Sequence, residues 1–340
     1  MVTAVPCTQL ASAAFPAGVW RLAPHSRHSL HADGCDWPEK NCYADLWIEA
    51  LHAMNLEPLA MLGHTVAVNF EGDQWTFFKP SHPELRELYG IDVQEMTVWR
   101  PLEEHVIEHL AAGRFVCTEV DAFWLPDTAA TDYRSKHTKT TILIAAIDPR
   151  ARKLSYFHNS GWFDLEGDDY AGVLRAGAGA GPMPLFAELV HVSRRIRRPP
   201  EDLVQRALRL LWWHFTWRPD TNPFARFGER FARDLPSMLE AGLGRYHEWA
   251  FAVLRQAGSA FELAAAHLRW LAQYRSGSGL EAPAQCFTTI SSLNKSLILK
   301  GARAVATRKA IDPGESAHAM ARAWDEGMAL LGESLARQNT

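Results

Sequence analysis

The chain has 340 residues and a mass of 38.1 kDa, more than one compact domain usually needs, so two domains are expected. Hydrophobic residues make up 47% and charged residues 22%, a globular composition that excludes disordered, collagen-like and coiled-coil proteins. The 35 basic against 39 acidic side chains give a net charge of −4, which argues against sequence-independent binding to nucleic acid.

Periodicity in the first 190 residues predicts a mixture of helices and strands. Helices are expected at residues 41–55, 83–89 and 102–112. A β-rich stretch is expected over 64–80, and stronger strands, rich in β-branched and aromatic residues, over 114–125 and 140–148. The segment KLSYFHN follows a turn and predicts a third strand, paired in a hairpin with the strand before it.

Beyond residue 190 the patterns are helical. The run AGAGAGPMP at 176–184 predicts a flexible boundary loop, and helices are expected from Pro199-Pro200 onward and over 315–337. Ser259 and Glu262 match a helix-capping box. Three tryptophans of the first C-terminal helix are expected in the core, with the wall of an acyl tunnel as the alternative: Trp212, Trp213 and Trp217. The sequence thus predicts an α+β domain over 1–190 followed by an all-α domain over 191–340.

The cysteine content and the N-terminus bear on the cellular compartment. Five cysteines, an odd number spread widely, favour free thiols over a disulfide framework. The N-terminus lacks a basic segment and is interrupted by Pro6 and Pro16, which makes it a poor signal peptide. No apolar run approaches the roughly 18 residues of a membrane span. A cytoplasmic protein without a membrane partner is expected.

The segment N-C-Y-A-D-L places Cys42 at the start of the first predicted helix. The partial positive charge and the unpaired N–H groups of a helix N-terminus stabilise a thiolate, and they also stabilise the oxyanion that forms when it attacks a carbonyl. Such a nucleophile needs an imidazole to move its proton and a polar partner to hold that ring. From this pattern alone, a buried structural cysteine is the competing interpretation.

His137 and Asn159 are candidates for those two roles. His137 precedes the predicted strand at 140–148, and Asn159 ends the next strand, so the hairpin would bring them to the same end of the sheet. The competing interpretations are a solvated loop histidine and an ordinary Asn-Ser-Gly turn.

Two family resemblances follow from these motifs. The segments N-C-Y-A-D-L, V-D-A-F-W-L-P, D-Y-R-S-K-H and H-N-S-G resemble the butirosin-biosynthesis-H-type N-terminal domain over roughly residues 25–170. With F-E-G-D-Q-W-T-F-F-K-P, Y-G-I-D-V-Q-E and H-T-K-T-T-I, nearly the whole chain is similar to a bacterial domain-of-unknown-function family, number 1839. That family tends to lie among genes for carrier-protein aminoacylation and peptide assembly, which implies a role in peptide or natural-product biosynthesis.

The butirosin-H-type resemblance implies a papain-like cysteine fold that transfers aminoacyl groups from a carrier-protein thioester to an amine. It makes Cys42 the nucleophile, His137 the general base and acid, and Asn159 the residue that orients the imidazole. The related pattern often has its histidine about three positions later, where this chain has Thr140. The usual acidic third member is also missing unless Asp148 supplies it.

Further residues are expected to line the site. Asn41 or a backbone amide would complete the oxyanion hole, because no glutamine precedes Cys42. Asp121 would either hold an acceptor's ammonium group or pair with an arginine, and Tyr133 and Lys139 flank the histidine.

Partners and cofactors are predicted from charge and spacing. A basic cluster is formed by Arg194, Arg195, Arg197 and Arg198. It is either a solvated surface run or an interdomain salt-bridge patch, or else a docking site for an acidic carrier protein or the phosphate of its pantetheine arm. No bound cofactor is expected, and the phosphopantetheine arm would be a co-substrate. A structural metal is not expected, because the potential ligands lack zinc-site spacings: His25, His28, His31, Cys35 and Cys42.

Three functions follow. The first is an acyltransferase, with aminoacyl as the favoured group, that passes the acyl group through Cys42 to a small-molecule or peptide amine or to a hydroxyl. The second is a cysteine hydrolase acting as an amidase, peptidase or thioesterase. The third is a non-catalytic binding protein that keeps the fold. Nucleotide-binding and serine-hydrolase motifs are absent from the sequence.

Overall fold

The computed structural model describes residues 25–175, 185–308 and 312–338. The N-terminal segment, predicted from the sequence to be a poor signal peptide, and the run at 176–184 lie outside the described residues.

Within the described residues the strands are β1 (Phe70–Glu71), β2 (Gln74–Trp75), β3 (Asp92–Met96), β4 (Arg114–Asp121), β5 (Lys139–Asp148), β6 (Lys153–His158), β7 (Gly161–Glu166) and β8 (Ala187–His191). The helices are α1 (Cys42–Ala53), α2 (His82–Tyr89), α3 (Leu102–Ala111), α4 (Gly167–Leu174), α5 (Pro200–Thr216), α6 (Pro223–Ala241), α7 (Leu243–Ala250), α8 (Gln256–Tyr274), α9 (Glu281–Thr307) and α10 (Pro313–Gln338). The prediction of a mixed N-terminal region with a β-sheet, followed by a helical C-terminal region, is confirmed.

The chain divides into two compact units. The first holds described residues 25–29 together with Cys42–Glu57 and Ser81–Arg197. The second holds Leu30–Asn41, Pro58–Pro80 and the described residues from Arg198 onward.

A six-stranded antiparallel sheet organises the first unit, with the order β3-β8-β4-β5-β6-β7. Its central strands are rich in β-branched and aromatic side chains, and residues such as Val116, Ile142 and Ile144 are fully buried. Helix α1 packs on β5 and β6, and nearly its whole length is buried: only Cys42, His52 and Ala53 are partly exposed. A rigid sheet therefore backs the helix that begins at Cys42.

The second unit is helical apart from the short β1–β2 hairpin. In α6 the Asn222 side chain accepts hydrogen bonds from the first backbone N–H groups, and Pro223 occupies the first helical turn, where a missing N–H costs nothing. The buried face of this helix is aromatic, with Phe224, Phe227 and Phe231 each no more than 1% exposed. Of the helices described, none combines the length and apolar character needed to cross a membrane.

The β-rich prediction for residues 64–80 is wrong over its first part. The segment Pro58–Ala67 forms a 3₁₀ helix, and only the two-residue strands β1 and β2 follow it. Thr65 Oγ1 donates to Leu62 O at 2.7 Å, and His64 Nδ1 lies 2.8 Å from Met61 O. These side-chain bonds to carbonyls three residues earlier favour a tight helical turn over an extended strand.

The capping box predicted at Ser259 is also wrong. Ser259 lies inside α8 and its hydroxyl donates to Arg255 O at 2.7 Å. Glu262 instead accepts a hydrogen bond from Asp36 N at 3.0 Å and lies 3.4 Å from the buried ammonium of Lys40. Residues 251–255 are also helical and continue directly into α8. No helix therefore begins at Ser259, so Ser259 and Glu262 have no helix N-terminus to cap.

The expectation that the tryptophans in and just after α5 are core residues is wrong as well. Trp212, Trp213 and Trp217 are 39%, 57% and 68% exposed. The buried stripe of α5 includes Leu203, Leu211 and Phe215. Trp212 and Trp213 lie outside this stripe, and Trp217 follows the last residue of the helix.

Candidate active site

Cys42 is the first residue of α1, as the sequence predicts, and its side chain is half-buried. Its Sγ lies 3.9 Å from Thr141 Oγ1 on β5, within reach of a weak hydrogen bond from the thiol. Across the described residues, Thr141 is the hydrogen-bond partner found for this sulfur. The thiol therefore sits at a helix N-terminus, against the sheet.

Strand alternation decides which residues share the face that carries Cys42. Successive side chains of a strand point to opposite faces, so Lys139, Thr141 and Leu143 lie on the α1 side of β5. Thr140 lies on the other face, where its Oγ1 is 2.7 Å from His158 Nε2. Thr141 rather than Thr140 is thus the β5 residue next to the thiol.

His137 lies just before β5 and is held by two contacts. Its Nδ1 is 2.6 Å from Asp121 Oδ2, and its ring stacks on Phe123 with centroids 4.5 Å apart. Because a carboxylate only accepts hydrogen bonds, the neutral ring donates through Nδ1, which leaves the lone pair on Nε2. No described residue hydrogen-bonds to that Nε2. The side chain is 73% exposed, so a bound molecule can reach this nitrogen.

The Asp121–His137 pair lies on the same face of the sheet as Cys42. In the β4–β5 register Asp121 is opposite Lys139, and Glu119 is opposite Thr141. Two residues along a strand correspond to about 7 Å, which is the displacement between Asp121 and the level of Thr141. Among the described residues Cys42 and His137 share no hydrogen bond. The thiol and the Asp121–His137 pair therefore lie on one face of the β4–β5 sheet region, and no hydrogen bond joins them.

The loop that carries His137 is cross-linked by its own residues. Ala122 N donates to Thr138 O at 2.8 Å, and Arg134 N donates to Phe123 O at 3.0 Å. The guanidinium of Arg134 lies over the Trp124 ring, 4.5 Å from its centroid. These bonds fix the imidazole's position even though its side chain is exposed.

A second imidazole–carboxylate pair lies on the α1 side of the sheet. Tyr43 Oη donates to Glu188 Oε2 at 2.9 Å, and His82 Nε2 lies 3.1 Å from Glu188 Oε1. Burial alone would raise the pKa of Glu188, but the hydrogen bonds from His82 and Tyr43 hold that pKa below the ordinary glutamate value. Burial also raises the pKa of the Tyr43 phenol. His82 therefore uses its Nε2 to bind protein groups, unlike His137.

A third histidine, His158, is fully bound on the opposite face. Its Nδ1 is 2.5 Å from Asp127 Oδ2, its Nε2 is bound to Thr140, and its side chain is 1% exposed. Tyr156 Oη donates to the other oxygen of Asp127 at 2.5 Å. Although the order threonine–histidine–aspartate resembles a nucleophile relay, burial keeps a substrate away, and the network ties β6 to the Pro126–Thr128 turn.

Two other predicted site residues, Asn41 and Tyr133, make structural bonds, and Asn159, predicted to orient His137, occupies a turn. Asn41 is buried and its amide donates to Phe78 O at 2.9 Å. Tyr133 Oη donates to Asp169 Oδ2 at 2.9 Å. Asn159 begins the turn between β6 and β7 with a left-handed φ of 44°, a conformation that asparagine tolerates better than most residues. The β5–β6 register, continued by two residues, puts Asn159 level with Thr141.

The predicted basic cluster is largely exposed. Arg194, Arg195 and Arg197 are exposed, and Arg195 also donates to Val192 O at 3.3 Å. Arg198 is partly buried and pairs with Asp202 at 3.1 Å. The arginines next to β8 thus present their charge to solvent.

Of the potential metal ligands near the N-terminus, His25 pairs with Glu49 of α1, with Nε2 and Oε2 2.6 Å apart. The backbone N–H of His28 also donates to Glu49. No group of three or more possible metal ligands is found within the described ranges.

Sequence reasoning missed Thr141 and the orienting role of Asp121. A strand pattern does not reveal which of two adjacent threonines faces a helix, because that depends on the tertiary packing of α1. For Asp121 the sequence signal was an aspartate inside the strand predicted over 114–125, where aspartate is uncommon. In the structure it ends β4, its Oδ1 accepts from Phe123 N at 3.1 Å, and its Oδ2 lies 2.6 Å from His137 Nδ1.

Comparison with protein-family models yields two matches. The DUF1839 N-terminal domain matches residues 26–193, and the DUF1839 C-terminal domain matches residues 200–333. A comparison with curated proteins finds no match. Because the two models together span nearly all of the chain, it belongs to the DUF1839 family.

Proposed function

We propose that this protein is an acyltransferase on a papain-like scaffold. Cys42 would take an acyl group, with aminoacyl as the favoured cargo, from a carrier-protein thioester. His137, oriented by Asp121, would then activate an amine or hydroxyl acceptor. The observation that carries the proposal is an oriented imidazole with an unoccupied, exposed Nε2 on the sheet face against which Cys42 lies.

The arrangement of elements supports the papain-like scaffold. The thiol begins a buried helix that packs on an antiparallel sheet, and the histidine precedes the strand that the thiol contacts. The N–H groups of the first turn of α1 would stabilise the oxyanion that forms when Cys42 attacks a carbonyl.

The first step is a thioester exchange. The Cys42 thiol loses its proton to solvent, and the thiolate attacks the carbonyl carbon of the donor thioester. The bond from that carbon to the pantetheine sulfur breaks, and the pantetheine thiolate leaves. One thiolate replaces another, so no proton has to be passed to the leaving group. This step therefore does not need an imidazole in contact with Sγ, which fits a sulfur whose neighbour is Thr141.

The second step requires a base. An acceptor amine attacks the Cys42 thioester carbon, the C–S bond breaks, and the amine loses a proton to His137 Nε2. An acceptor between the thiol and the imidazole would contact both, because each contact spans about 3 Å. Asp121, which binds His137, lies about 7 Å along the strands from the level of Thr141, which contacts the thiol, and this offset leaves space for such a molecule.

Amide hydrolysis fits this geometry less well. Cleavage of an amide requires an acid that protonates the leaving nitrogen directly after the thiol attacks, and cysteine peptidases use an imidazole hydrogen-bonded to the thiol for this. The thiol and His137 do not share that bond among the described residues. A thioester donor is consequently the better match.

Intact-mass spectrometry after mixing with an aminoacyl carrier-protein thioester tests the proposal. The wild type should gain the mass of the acyl group, and Cys42→Ala should gain none. Cys286→Ala is the matched control, because Cys286 is also a half-buried thiol but burial raises its pKa. Adding an amine should discharge the adduct in the wild type and in His82→Asn, but much more slowly in His137→Asn.

Each alternative function has its own readout in this experiment. Free acid that accumulates at the same rate with and without an amine would show that the protein is a hydrolase and not a transferase. Carrier-protein binding without any adduct, equally strong in the wild type and Cys42→Ala, would show that the protein only binds its partner. Equal adducts on wild type and Cys42→Ala would exclude Cys42 as the nucleophile.

A further inference from the structure

Helix α6 of the second unit carries three arginines on one side. Arg226, Arg230 and Arg233 are spaced four and three residues apart, so they project from neighbouring turns of the same face. They line a pocket of about 260 Å³ together with Glu229 and the β1–β2 hairpin residues Phe70 and Gly72. We call this the α6 arginine pocket.

Two of the arginines are fixed by the hairpin. Arg226 donates to Phe70 O at 3.3 Å and to Thr221 O at 2.9 Å, and it also bonds the Asn69 side chain. These acceptors are uncharged, so the positive charge of Arg226 is not compensated by them. Arg230 donates to Gly72 O at 3.2 Å.

Carboxylates balance only part of this charge. Asp234 pairs with Arg230 at 2.5 Å, and Glu229 lines the pocket without an ion pair to any described residue. Arg233 is exposed and forms no side-chain hydrogen bond or ion pair with the described residues. Three guanidiniums against two carboxylates leave the pocket with a positive excess and one uncommitted donor group.

The opposite face of α6 holds the pocket in shape. Phe224, Phe227 and Phe231 are buried there, and Phe70 packs edge-on against Phe227 with ring centroids 5.7 Å apart. The helix and the hairpin that form the pocket walls are therefore joined by a packed aromatic contact. A preorganised site loses less entropy when a ligand binds.

From this geometry we infer that the α6 arginine pocket binds a phosphate group, either free phosphate or the end of a small phosphomonoester. Guanidinium forks match phosphate oxygens in pairs, and several converging arginines suit a doubly charged anion better than a single carboxylate. The volume is below the range typical of drug-sized ligands, so a small anion fits. The inference is independent of the chemistry at Cys42.

Isothermal titration calorimetry of the full chain tests this site, with inorganic phosphate and with glycerol 3-phosphate at constant ionic strength. Arg233→Gln should weaken binding about tenfold, the effect of losing one charge-assisted hydrogen bond. Glu229→Gln should tighten binding, because it removes a negative charge from the pocket wall. Arg303→Gln, which removes an exposed arginine of α9, is the matched control and should bind like the wild type.

Tighter binding of the ester would identify an organic ligand, whereas equal binding would identify free phosphate. Absence of saturable binding to the wild type would overturn the inference, and so would equal losses in Arg233→Gln and Arg303→Gln. Arg233→Gln and Arg303→Gln both change exposed side chains, so both proteins should fold. A Tm equal to that of the wild type would verify this. A Cys42→Ala protein should bind the anion normally, so failure of the acyl-transfer proposal would remain a separate result.

Discussion

Asp121→Asn changes the pair that orients the proposed base while preserving its shape. The asparagine can still accept the hydrogen bond from Phe123 N through Oδ1. Its amide nitrogen, however, now faces His137 Nδ1, where Asp121 Oδ2 lies 2.6 Å away in the wild type. Because an amide NH₂ only donates, Nδ1 must accept, and the ring proton moves to Nε2. An Nε2 that already carries a proton cannot take one from the acceptor amine.

The size of the effect follows from the exposure of the pair. A positioned general base contributes about 10²–10⁴-fold to a rate. The His137 side chain is 73% exposed and that of Asp121 is 31% exposed, so water screens the pair and can partly replace it. We therefore expect the lower end of that range, a loss of about 100-fold in transfer from Cys42 to the amine. Loading of Cys42 should change little, because thioester exchange passes no proton to its leaving group.

Quenched-flow mixing followed by intact-mass measurement separates the two steps. Glu119→Gln is the control, because it alters a carboxylate on the same strand and face that pairs instead with Lys139 at 2.9 Å. The double variant Asp121→Asn/His137→Asn should be no slower than His137→Asn alone, since the two residues act as one unit. The reasoning is refuted if Asp121→Asn slows loading and transfer equally, or if Glu119→Gln reproduces its effect.

Two predictions concern stability. Gly301→Ala should destabilise the protein by about 2 kcal/mol, because the new Cβ would lie 2.0 Å from Tyr246 Oη. Gly244→Ala should instead stabilise it by about 0.5–1 kcal/mol, because the new Cβ of this α7 residue would lie in open space. Urea unfolding measures both changes, and destabilisation by the two variants alike would contradict the packing argument. Burial, and to a lesser extent a neighbouring arginine, lowers the pKa values of His105 and His109. As the pH falls below about 6.5, these histidines therefore bind protons in the unfolded chain before they do so in the folded protein. The free energy of unfolding should consequently decrease as the pH falls. The variant His105→Asn/His109→Asn should show a smaller loss between pH 7 and 5 than the wild type, and an identical pH profile would refute this.

The sequence predicted those elements whose signals are local. The helix expected over 41–55 is α1, and the final helix runs through the predicted 315–337. The strands expected over 114–125 and 140–148 correspond to β4 and β5, although β4 ends at Asp121 and a 3₁₀ turn follows. Apolar periodicity and β-branched runs act within a few residues, so these predictions needed no tertiary information.

Features set by long-range packing were not predictable. Glu262 pairs with Lys40, which no local pattern indicates. Without that information, the spacing of Ser259 and Glu262 resembled a capping box. The Cys42–Thr141 contact joins residues 99 positions apart, and a shift of one residue in β5 would put Thr140 there instead. The sequence therefore indicated Cys42 and His137 as candidate site residues, but not the atoms that each of them contacts.

The interleaving of the two compact units has a consequence for synthesis on the ribosome. The indole N–H of Trp37 donates to Ser291 Oγ at 2.8 Å, across 254 residues of chain. At about 5–20 residues per second, the segment around Trp37 waits roughly 10–50 s before its partner has been made. During that interval Leu30–Asn41 and Pro58–Pro80 emerge without the helices of their own unit. A nascent chain of this kind is a candidate client for chaperones, and fragments cut near residue 197 would keep the same segments permanently uncovered.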